Sequence, residues 1–453
     1  MSQRLAVVIG LGRSGAAAAR TLAAEGWRVR VLDAGDDDAL RTRAAELPAG
    51  VEVQAGGYGD ADVDGADLVS PSPGVAWTAP ILERARQRGI AIRSELDLAL
   101  ERCTAPVVGI TGTNGKTTTT ALTGSLLAAG GARVHVGGNI GVPLLDLLPE
   151  VGPGHWVVLE LSSFQLEAAV APTCRLAALL NLSPDHIDRH GSYAAYTAAK
   201  RRLVEHCEPT GTVVLNADDA AVAAMAAASP APVRLFGAAR DGRDGAGIVD
   251  GQVVSVEGGE PLRVIGVDEV PLFGSHNLGN VLAAVCLARA ADVKVDQIAG
   301  AIRSFRPVIH RLQPVLDREG VLWVNDSKAT NVDAAQMALR AFGERPLVWI
   351  GGGKTKGVGP ELLADEVVRR ARHAVLNGAT GPEIDAALAA RGYAARTLVA
   401  DLPAAVEVAR RLAQPGDVVL LAPGYTSFDQ FRSYEERGQS FIDLVLAPRP
   451  STV

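Results

Sequence analysis

The chain has 453 residues, of which 48% are hydrophobic and 21% are charged. At a usual domain size of roughly 150 residues, this length suggests about three domains, each with enough apolar residues for its own core. A short peptide and a disordered tail are therefore excluded. The formal charge of −7 argues against a broad nucleic-acid-binding face.

The cysteines and the apolar runs indicate the cellular compartment. Cys103, Cys174, Cys207 and Cys286 lie far apart, with no C-x-x-C pair for zinc or redox chemistry and no dense disulfide framework. No apolar stretch approaches the roughly 18 to 20 residues that span a bilayer. The first residues, MSQRLAVVIGLGRSG, are typical of a strand entering a turn rather than of a signal peptide. We therefore expect a cytoplasmic protein without membrane insertion.

The hydrophobic pattern predicts the fold class. Short β-branched or leucine-rich runs alternate with longer Ala, Leu and Arg segments of helical period along almost the whole chain. This alternation is typical of parallel sheets wrapped by helices. We predict an α/β protein with three domains in series: a Rossmann-like domain over residues 1–95, a central P-loop ATPase-like domain over 96–306, and a Rossmann-like domain over 307–453.

In chain order, the first block contains the predicted strands LAVVIG, WRVRVLD, DLVSPS and IAIRS, with a helix from Gly15 to Glu25 that Gly26 ends. The second contains PVVGI, a helix that stops at Gly130-Gly131, and the strands HWVVLELSS, LAALLNLS and GTVVLNADD. A Pro/Gly/Asp-rich stretch from Ser229 to Glu260 predicts surface hairpins. The third block contains VLWVNDS, PLVWIGG, HAVLNG, ARTLVA and DVVLLAPG.

The first glycine loop is Gly10-Leu-Gly12-Arg-Ser-Gly15, with Asp33 at the end of the second strand. A loop of this kind between a strand and a helix matches a dinucleotide fingerprint, in which backbone N–H groups and the helix dipole hold a diphosphate. Two alternatives stay open: a tight turn with no ligand, and a diphosphate other than NAD, such as a UDP-sugar.

The second glycine loop predicts ATP binding. Gly112-Thr-Asn-Gly115-Lys116-Thr117 lies between a strand and a helix, as a P-loop requires. Ile110 occupies the place of the first glycine in the strict pattern. The loop keeps consecutive N–H groups at a helix N-terminus, a lysine for phosphate charge and a hydroxyl for Mg²⁺.

Polar residues follow two further strands of the second block. Glu160 closes HWVVLE, and Asp185, His186, Asp188 and His190 follow LAALLNLS. Ligands of open parallel sheets collect at the carboxyl ends of the strands, so these side chains could hold Mg²⁺ beside a triphosphate. The H-x-D-x-H spacing could also suggest zinc, although no thiolate supports it. A solvated, capped helix start is the third interpretation.

The third block offers Asn325-Asp326-Ser327-Lys328-Ala-Thr330-Asn331, with Asn331 as the expected cap of the next helix. A lysine with hydroxyl and amide neighbours at a helix N-terminus makes a carboxylate receptor. An ordinary capped turn explains the segment equally well, and the same holds for Gly351 to Gly357 and for Ser427.

Several of these segments, in this order, resemble the Mur ligase family, and most closely its D-glutamate-adding members. The resemblance spans residues 10–431 and is carried by GITGTNGKTT, GGNIG, ELSSFQLE, DHIDRH, AAK ending at Lys200, NADD, HNLGN, His310-Arg311, NDSKATN and SFDQF. It implies an ATP-dependent ligase that adds D-glutamate to UDP-N-acetylmuramoyl-L-alanine through an acyl phosphate. It implies a cytoplasmic step of peptidoglycan precursor synthesis, with ATP and Mg²⁺, and we expect a monomer.

The resemblance also implies residue roles. The ATP-binding residues would be Gly112, Thr113, Asn114, Gly115, Lys116, Thr117, Thr118, Asn277, Arg311 and Asp326. The UDP-substrate residues would be Gly12, Arg13, Ser14, Asp33, Ser72 and Asn139, and the D-glutamate residues Lys328, Thr330, Lys356, Ser427 and Phe428. The metal residues would be Thr117, Glu160, His186 and, if carbamylated, Lys200; the catalytic set would be Lys116, Glu160, His186, Lys200 and Lys328.

The chain departs from the family at three places. Ala34-Gly35 follow Asp33 where members often have a Thr-Arg pair, which leaves the uracil contacts open. PGYTSFDQF replaces the more usual P-A-C-A-S run but keeps Ser427. Either Lys354 or Lys356 could take the family's lysine role, and we favour Lys356.

Two other functions share part of this sequence pattern. A folylpolyglutamate synthase-like ligase would also use ATP and glutamate, but it gives no reason for the glycine loop at Gly10 to Gly15. A non-catalytic, nucleotide-dependent switch module would explain the P-loop. It would not explain why Glu160, His186, Lys200 and Lys328 occur together.

Overall fold

The computed structural model describes residues 3–139, 141–238, 243–355 and 357–447. These residues form two compact units. Unit 1 comprises residues 1–270 and 279–304, and unit 2 comprises residues 271–278 and 305–453, in each case as far as they are described. Unit 1 contains the first two sheets and unit 2 contains the third.

The strands are β1 (Leu5–Ile9), β2 (Arg28–Leu32), β3 (Glu52–Gln54), β4 (Leu68–Pro71), β5 (Ala91–Ile92), β6 (Val107–Thr111), β7 (Val134–Gly138), β8 (Trp156–Glu160), β9 (Cys174–Leu179), β10 (Cys207–Asn216), β11 (Val233–Phe236), β12 (Gly245–Val249), β13 (Gln252–Glu257), β14 (Glu260–Gly266), β15 (Gln313–Arg318), β16 (Val321–Asn325), β17 (Leu347–Gly352), β18 (Ala371–Asn377), β19 (Arg396–Leu398) and β20 (Val418–Leu421).

The helices are α1 (Arg13–Ala24), α2 (Asp38–Ala45), α3 (Pro80–Gln87), α4 (Glu95–Leu100), α5 (Lys116–Ala129), α6 (Leu144–Leu147), α7 (Ser163–Ala168), α8 (Ile187–His190), α9 (Tyr193–Glu205), α10 (Ala220–Ala223), α11 (Ser275–Ala290), α12 (Val295–Ser304), α13 (Val332–Arg340), α14 (Glu361–Arg370), α15 (Gly381–Ala390), α16 (Leu402–Leu412) and α17 (Tyr434–Leu446).

The first sheet has the parallel order β3-β2-β1-β4-β5. The chain changes direction across the sheet between β1 and β4, so the crevice beyond their carboxyl ends is the expected ligand position. Helix α1 lies close to this edge because Gly15 is small: a Cβ there would lie 1.9 Å from the carbonyl oxygen of Gly10. The predicted helix and its end near Gly26 are confirmed.

The second sheet has the order β14-β13-β12-β11-β10-β9-β6-β8-β7 and is parallel from β7 to β12. Strand β6 lies between β8 and β9, so the P-loop at its carboxyl end is flanked by the residues that follow those two strands. The predicted stop of α5 at Gly130-Gly131 is confirmed. Lys116 and Glu160 therefore lie at the same edge of this sheet, and His186 follows β9 at that edge.

The stretch from Ser229 to Glu260 contributes strands to the second sheet, whereas the sequence predicts only surface hairpins there. Strands β12, β13 and β14 form antiparallel hairpins, as expected. The prediction of surface hairpins is wrong for β11, which pairs in parallel with β10 and β12 and buries Leu235 and Phe236. Gly245 allows β12 to approach β11, because a Cβ there would lie 1.7 Å from the carbonyl oxygen of Leu235.

Helix α4 joins the first two sheets within unit 1. Ser94 and Asp97 form a capping box at its start. Asp97 Oδ1 also accepts a 2.7 Å hydrogen bond from the backbone N–H of Val170, and Glu95 Oε1 accepts one of 3.2 Å from Leu145. The helix is therefore anchored on second-sheet elements. The domain boundary expected at residues 95–96 stays a prediction.

In unit 2 the sheet has the order β15-β16-β20-β17-β18-β19. The five predicted strands of this block correspond to β16 through β20, which pair in parallel. The antiparallel edge strand β15 was not predicted. The segments that follow β16, β17 and β20 share one edge of the sheet, and an isolated bridge joins Lys354 to Thr426 there.

Candidate active site

The loop between β6 and α5 has the backbone of a phosphate-binding loop. Gly112 and Gly115 have φ values of 156° and 84°, in the region that favours glycine, and Gly115 immediately precedes α5. Lys116 Nζ donates hydrogen bonds to the carbonyl oxygens of Gly112 (2.9 Å) and Thr113 (2.8 Å). The ammonium group therefore lies over the loop that an anion would occupy.

Glu160 connects this loop to β7. Its carboxylate accepts a 2.7 Å hydrogen bond from Thr117 Oγ1 on Oε2 and one of 2.8 Å from Asn139 Nδ2 on Oε1. Glu160 is 2% exposed. A buried carboxylate held by two neutral donors and close to a P-loop can take a cation when one is present.

Lys200 lies beneath the same loop. Its Nζ donates hydrogen bonds to Gly112 O (2.8 Å) and Thr111 Oγ1 (3.2 Å), and it lies 4.9 Å from the centre of the Tyr196 ring. Burial lowers the pKa of Lys200 well below its ordinary value, and the nearby charge of Lys116 lowers it further. Because burial disfavours the charged form, the neutral amine forms more readily here than in an exposed lysine.

His186 lies in the loop after β9, in the left-handed region at φ 52°. Its Nε2 is 3.7 Å from Asp185 Oδ2, and its ring centre is 4.9 Å from that of Phe164. The side chain is half exposed. Within the described residues, no group of three or more His, Cys, Asp or Glu side chains is arranged to hold a metal ion. Thr117 and Glu160 are the predicted metal residues that contact each other.

A cavity of about 410 Å³ lies between the first two sheets of unit 1. All six residues predicted for the UDP-substrate line it: Gly12, Arg13, Ser14, Asp33, Ser72 and Asn139. Asn139 also contacts Glu160, so the cavity reaches the vicinity of the P-loop. The fingerprint loop and the second glycine loop are therefore linked through Asn139 and Glu160.

Asp33 and Arg13 shape this cavity by binding backbone groups. Asp33 accepts hydrogen bonds from the backbone N–H groups of Leu11 (2.6 Å) and Gly35 (2.8 Å), which fixes the glycine loop against the second strand. Arg13 Nη1 donates a 2.9 Å bond to the carbonyl oxygen of Gly141. The guanidinium group therefore bridges the two walls of the cavity.

In unit 2, Asp326 follows β16 and is buried. Its Oδ1 accepts a 3.1 Å hydrogen bond from the backbone N–H of Leu312. Burial raises the pKa of Asp326 to about 6, although that hydrogen bond and the charge of Arg311 oppose the shift. Asn277, predicted for the nucleotide, donates to the carbonyl oxygen of Phe273 at 2.7 Å.

Lys328 contacts α17. Its Nζ donates a 2.5 Å hydrogen bond to the Tyr434 hydroxyl and lies 3.8 Å from the centre of that ring.

The buried Arg437 donates to Ser327 Oγ (3.0 Å) and Tyr425 O (3.1 Å), and burial lowers its pKa to about 10. Arg437 therefore ties the loop after β16 to the loop after β20.

The other predicted D-glutamate residues have different environments. Ser427 is buried, Thr330 is half-buried and Phe428 is 65% exposed. Asn331 caps α13 by accepting a 2.8 Å hydrogen bond from the N–H of Ala334, as predicted. Lys356 lies outside the described residues.

Comparison with known proteins decides the family. A sequence model for the Mur ligase middle domain matches residues 110–288. A model for the Mur ligase MurD-like N-terminal domain matches residues 4–94, and one for the Mur ligase glutamate ligase domain matches residues 310–424. The chain belongs to the Mur ligase family.

Full-length relatives support the same assignment. The UDP-N-acetylmuramoylalanine–D-glutamate ligase of Pelotomaculum thermopropionicum is 40% identical over 447 residues, which cover 98% of each chain. The proteins of the same name from Frankia casuarinae and Myxococcus xanthus are 44% and 42% identical. Those alignments cover 97% and 99% of this chain, and 93% and 99% of the relatives.

Solved structures show the Mur ligase fold. UDP-N-acetylmuramate-alanine ligase MurC from Thermotoga maritima aligns with a TM-score of 0.60 at 19% identity, covering 98% of this chain and 99% of that one. MurF from Acinetobacter baumannii aligns with a TM-score of 0.61 at 17% identity, covering 96% and 93%. At such identities the similarity concerns the fold alone. It confirms the predicted class of three α/β domains in series.

Sequence reasoning missed several residues of this Mur ligase site. Gly74 and Val75 line the cavity but belong to none of the quoted motifs, and Gln165 lines it from ELSSFQLE but was given no role. Tyr196 could have been found, because it lies four residues before Lys200 on α9 and therefore on the same helix face. Its hydroxyl is 2.8 Å from Thr113 Oγ1, so α9 supports the P-loop at two points.

No helix among the described residues is both long and apolar enough to cross a membrane.

Proposed function

We propose that this chain is an ATP-dependent ligase that joins the amino group of D-glutamate to the carboxyl group of UDP-N-acetylmuramoyl-L-alanine, with release of ADP and phosphate. The reaction is a step of peptidoglycan precursor synthesis. The observation that carries the proposal is the match to relatives of that name, which are 40–44% identical over nearly the whole length of both chains. The cavity lined by all six expected substrate residues supports it.

The chemistry requires activation of the substrate carboxylate, because a carboxylate is a poor electrophile. An oxygen of the alanyl carboxylate attacks the γ-phosphorus of ATP, ADP leaves, and an acyl phosphate remains. Lys116 and the backbone N–H groups at the start of α5 offset the negative charge of the transferred group. The amine of D-glutamate then attacks the acyl carbon, loses a proton, and displaces phosphate.

The residues near the P-loop fit Mg²⁺. Thr117 Oγ1 and Glu160 Oε2 are 2.7 Å apart, and Mg²⁺ beside nucleotides usually takes one or two protein oxygens together with phosphates and water. Bound Mg²⁺ would supply charge stabilisation to the phosphoryl group. In this proposal Thr117 and Glu160 hold the ion, with His186 and carbamylated Lys200 as further members of the site.

Carbamylation of Lys200 is part of the proposal. The modification needs a neutral amine to attack carbon dioxide, and it converts a cation into a carboxylate-like group. Burial at 2% exposure and a pKa that is lowered well below the ordinary value support such an amine.

We assign the amino-acid substrate to unit 2. Lys328 and Thr330 follow β16 and Ser427 and Phe428 follow β20, and in this proposal they bind D-glutamate together with Lys356. Asn277, Arg311 and Asp326 bind the nucleotide. The contact between Lys328 and Tyr434 supports an ammonium group that is held in one position before substrate binds.

We also propose that the protein is a monomer in the cytoplasm. Four free cysteines, of which Cys174, Cys207 and Cys286 are buried, are compatible with a reducing compartment. Analytical ultracentrifugation of the purified chain tests the monomer.

Phosphate release from ATP tests the proposed reaction. The assay contains UDP-N-acetylmuramoyl-L-alanine with D-glutamate, L-glutamate, L-lysine or no amino acid. We expect release that depends on D-glutamate, with the ligation product detected by mass spectrometry. Release that ignores the amino acid would reject the ligase, and a preference for another amino acid would reject the proposed substrate.

A further inference from the structure

One wall of the UDP-substrate cavity is a loop without regular structure. Residues Ser72 to Val75 follow β4 and line the cavity. Inside the first domain, the loop is held by a 2.8 Å bond from Ser72 N–H to Ile9 O and by a 2.7 Å bond from Ser72 Oγ to Gly10 O. These bonds fix the start of the loop, at Ser72.

The far end of the loop is held from the second sheet. Arg189, in α8, donates a 2.6 Å hydrogen bond from Nη2 to the carbonyl oxygen of Val75. The side chain of Arg189 is 19% exposed. Its guanidinium carbon lies 5.3 Å from the centre of the Phe164 ring, and Nη1 lies 3.9 Å from Glu167 Oε2. Both residues belong to α7. The guanidinium group therefore contacts α7 on one side and the cavity wall on the other.

The ring of Phe164, which contacts Arg189, also contacts the two histidines that flank Arg189 in the chain, His186 and His190. Phe164 lies 4.9 Å from the His186 ring and is stacked on His190 at 5.3 Å. His190 is 2.9 Å from Ser163 Oγ and packs edge-on against Tyr196, whose hydroxyl reaches the P-loop at Thr113. A continuous set of contacts therefore runs from Val75 to the P-loop.

We propose that Arg189 is a positioning residue that holds the Val75 wall of the UDP-substrate cavity against the loop of His186. This inference rests on the proposed function. Arg189 does not need to contact the substrate, because its bond to Val75 O fixes the position of this wall residue. Loss of the bond should weaken binding of the UDP-substrate far more than binding of ATP.

Arg189→Met keeps an unbranched apolar stem but removes the guanidinium group and its donors, and Arg189→Lys restores one cationic donor. Arg102→Met is the matched control, because Arg102 also donates to a backbone carbonyl (Leu98 O, 2.7 Å) and pairs with a carboxylate (Glu25), away from the cavity. Calorimetry with UDP-N-acetylmuramoyl-L-alanine measures the Kd, and turnover measures the KM values of ATP and D-glutamate. Thermal midpoints report on folding.

For Arg189→Met we expect a Kd about 10-fold higher, which corresponds to about 1.4 kcal/mol, with the KM values of ATP and D-glutamate within about twofold. Arg189→Lys should recover part of the affinity, and Arg102→Met should bind normally. An unchanged Kd in Arg189→Met would overturn the inference. So would a parallel loss for all substrates, or an equal loss in Arg102→Met. Failure of the parent chain to bind the UDP-substrate would instead reject the proposed function.

Discussion

Asn139 donates a 2.8 Å hydrogen bond from Nδ2 to Oε1 of the buried Glu160. Asn139 lines the cavity assigned to the UDP-substrate, and the other oxygen of Glu160 accepts from Thr117 of the P-loop. The proposed sites for the nucleotide and for the UDP-substrate therefore share one carboxylate. Changes at Asn139 should consequently affect the metal and nucleotide as well as the UDP-substrate.

We expect Asn139→Leu to raise the Mg²⁺ concentration needed for half-maximal activity by roughly 10- to 100-fold, the usual effect of losing a partner that orients a metal ligand. The leucine keeps the volume but leaves Oε1 of Glu160 without its donor. Magnesium titrations of phosphate release measure the shift. A variant with an unchanged magnesium requirement would contradict the role assigned to Glu160.

Lys116→Ala should lower kcat by roughly 10²- to 10³-fold, because it removes the cation that lies over the phosphate loop. Lys294→Ala serves as the control, since Lys294 is exposed and precedes α12. Single-turnover phosphate release measures both variants. Near-normal activity in Lys116→Ala would argue against the P-loop assignment.

The lowered pKa of Lys200 predicts a dependence on carbon dioxide. Buffers stripped of carbon dioxide should reduce activity, and added bicarbonate should restore it, since the neutral amine can then be carbamylated. Lys200→Arg, which cannot be neutralised, should show neither activity nor recovery. If the parent chain were fully active without carbon dioxide, carbamylation would not be needed.

Lys328→Ala should raise the KM of D-glutamate more than the KM of ATP, because the ammonium group held by Tyr434 is assigned to the amino-acid carboxylate. Steady-state kinetics with each substrate varied in turn distinguishes the two effects. Equal increases in both KM values would indicate that Lys328 only stabilises the turn after β16.

Glu95 predicts a pH dependence of stability. This side chain is 4% exposed, and burial raises its pKa from 4.5 to about 7. Between these values the folded chain keeps a proton that the unfolded chain has lost, so the free energy of unfolding falls as the pH rises from about 4.5 to about 7 and then stays low. The loss amounts to roughly 3 kcal/mol.

Glu95→Gln keeps an oxygen to accept from Leu145 N–H but carries no charge. Its thermal midpoint should exceed that of the parent chain at pH 8 and match it more closely at pH 5. The exposed Glu46, changed to Gln, provides the control and should have little effect at either pH. Equal effects of Glu95→Gln at both pH values would contradict a raised pKa.

The sequence predicts those parts of the site whose chemistry depends on neighbours in the chain. A P-loop needs its glycines, Lys116 and Thr117 within a few residues, and parallel sheets bring strand ends such as Glu160 to the same edge. The cap at Asn331 is also predictable, because a capping residue lies next to its helix in the chain. The parallel strand β11 and the edge strand β15 were not predicted, because runs of four to six residues that are interrupted by charged side chains or flanked by Pro and Gly show little periodicity.

Local sequence patterns do not predict contacts between residues that lie far apart in the chain. The burial that lowers the pKa of Lys200 comes from packing around α9, which no local pattern reveals. The bond from Arg189 to Val75 joins residues 114 positions apart, and neither residue alone indicates a binding wall. The buried Arg437 beneath Ser327 and Tyr425 was likewise missed, because an arginine in an amphipathic helix is usually exposed.

Oxygen-isotope transfer tests the central claim most directly. The substrate is prepared with ¹⁸O in its alanyl carboxylate and incubated with the full chain, ATP, Mg²⁺ and D-glutamate. If the carboxylate oxygen attacks the γ-phosphorus and leaves with phosphate, one ¹⁸O per turnover appears in the inorganic phosphate. Phosphate that carries no label while the ligated product forms would contradict activation of the carboxylate as an acyl phosphate.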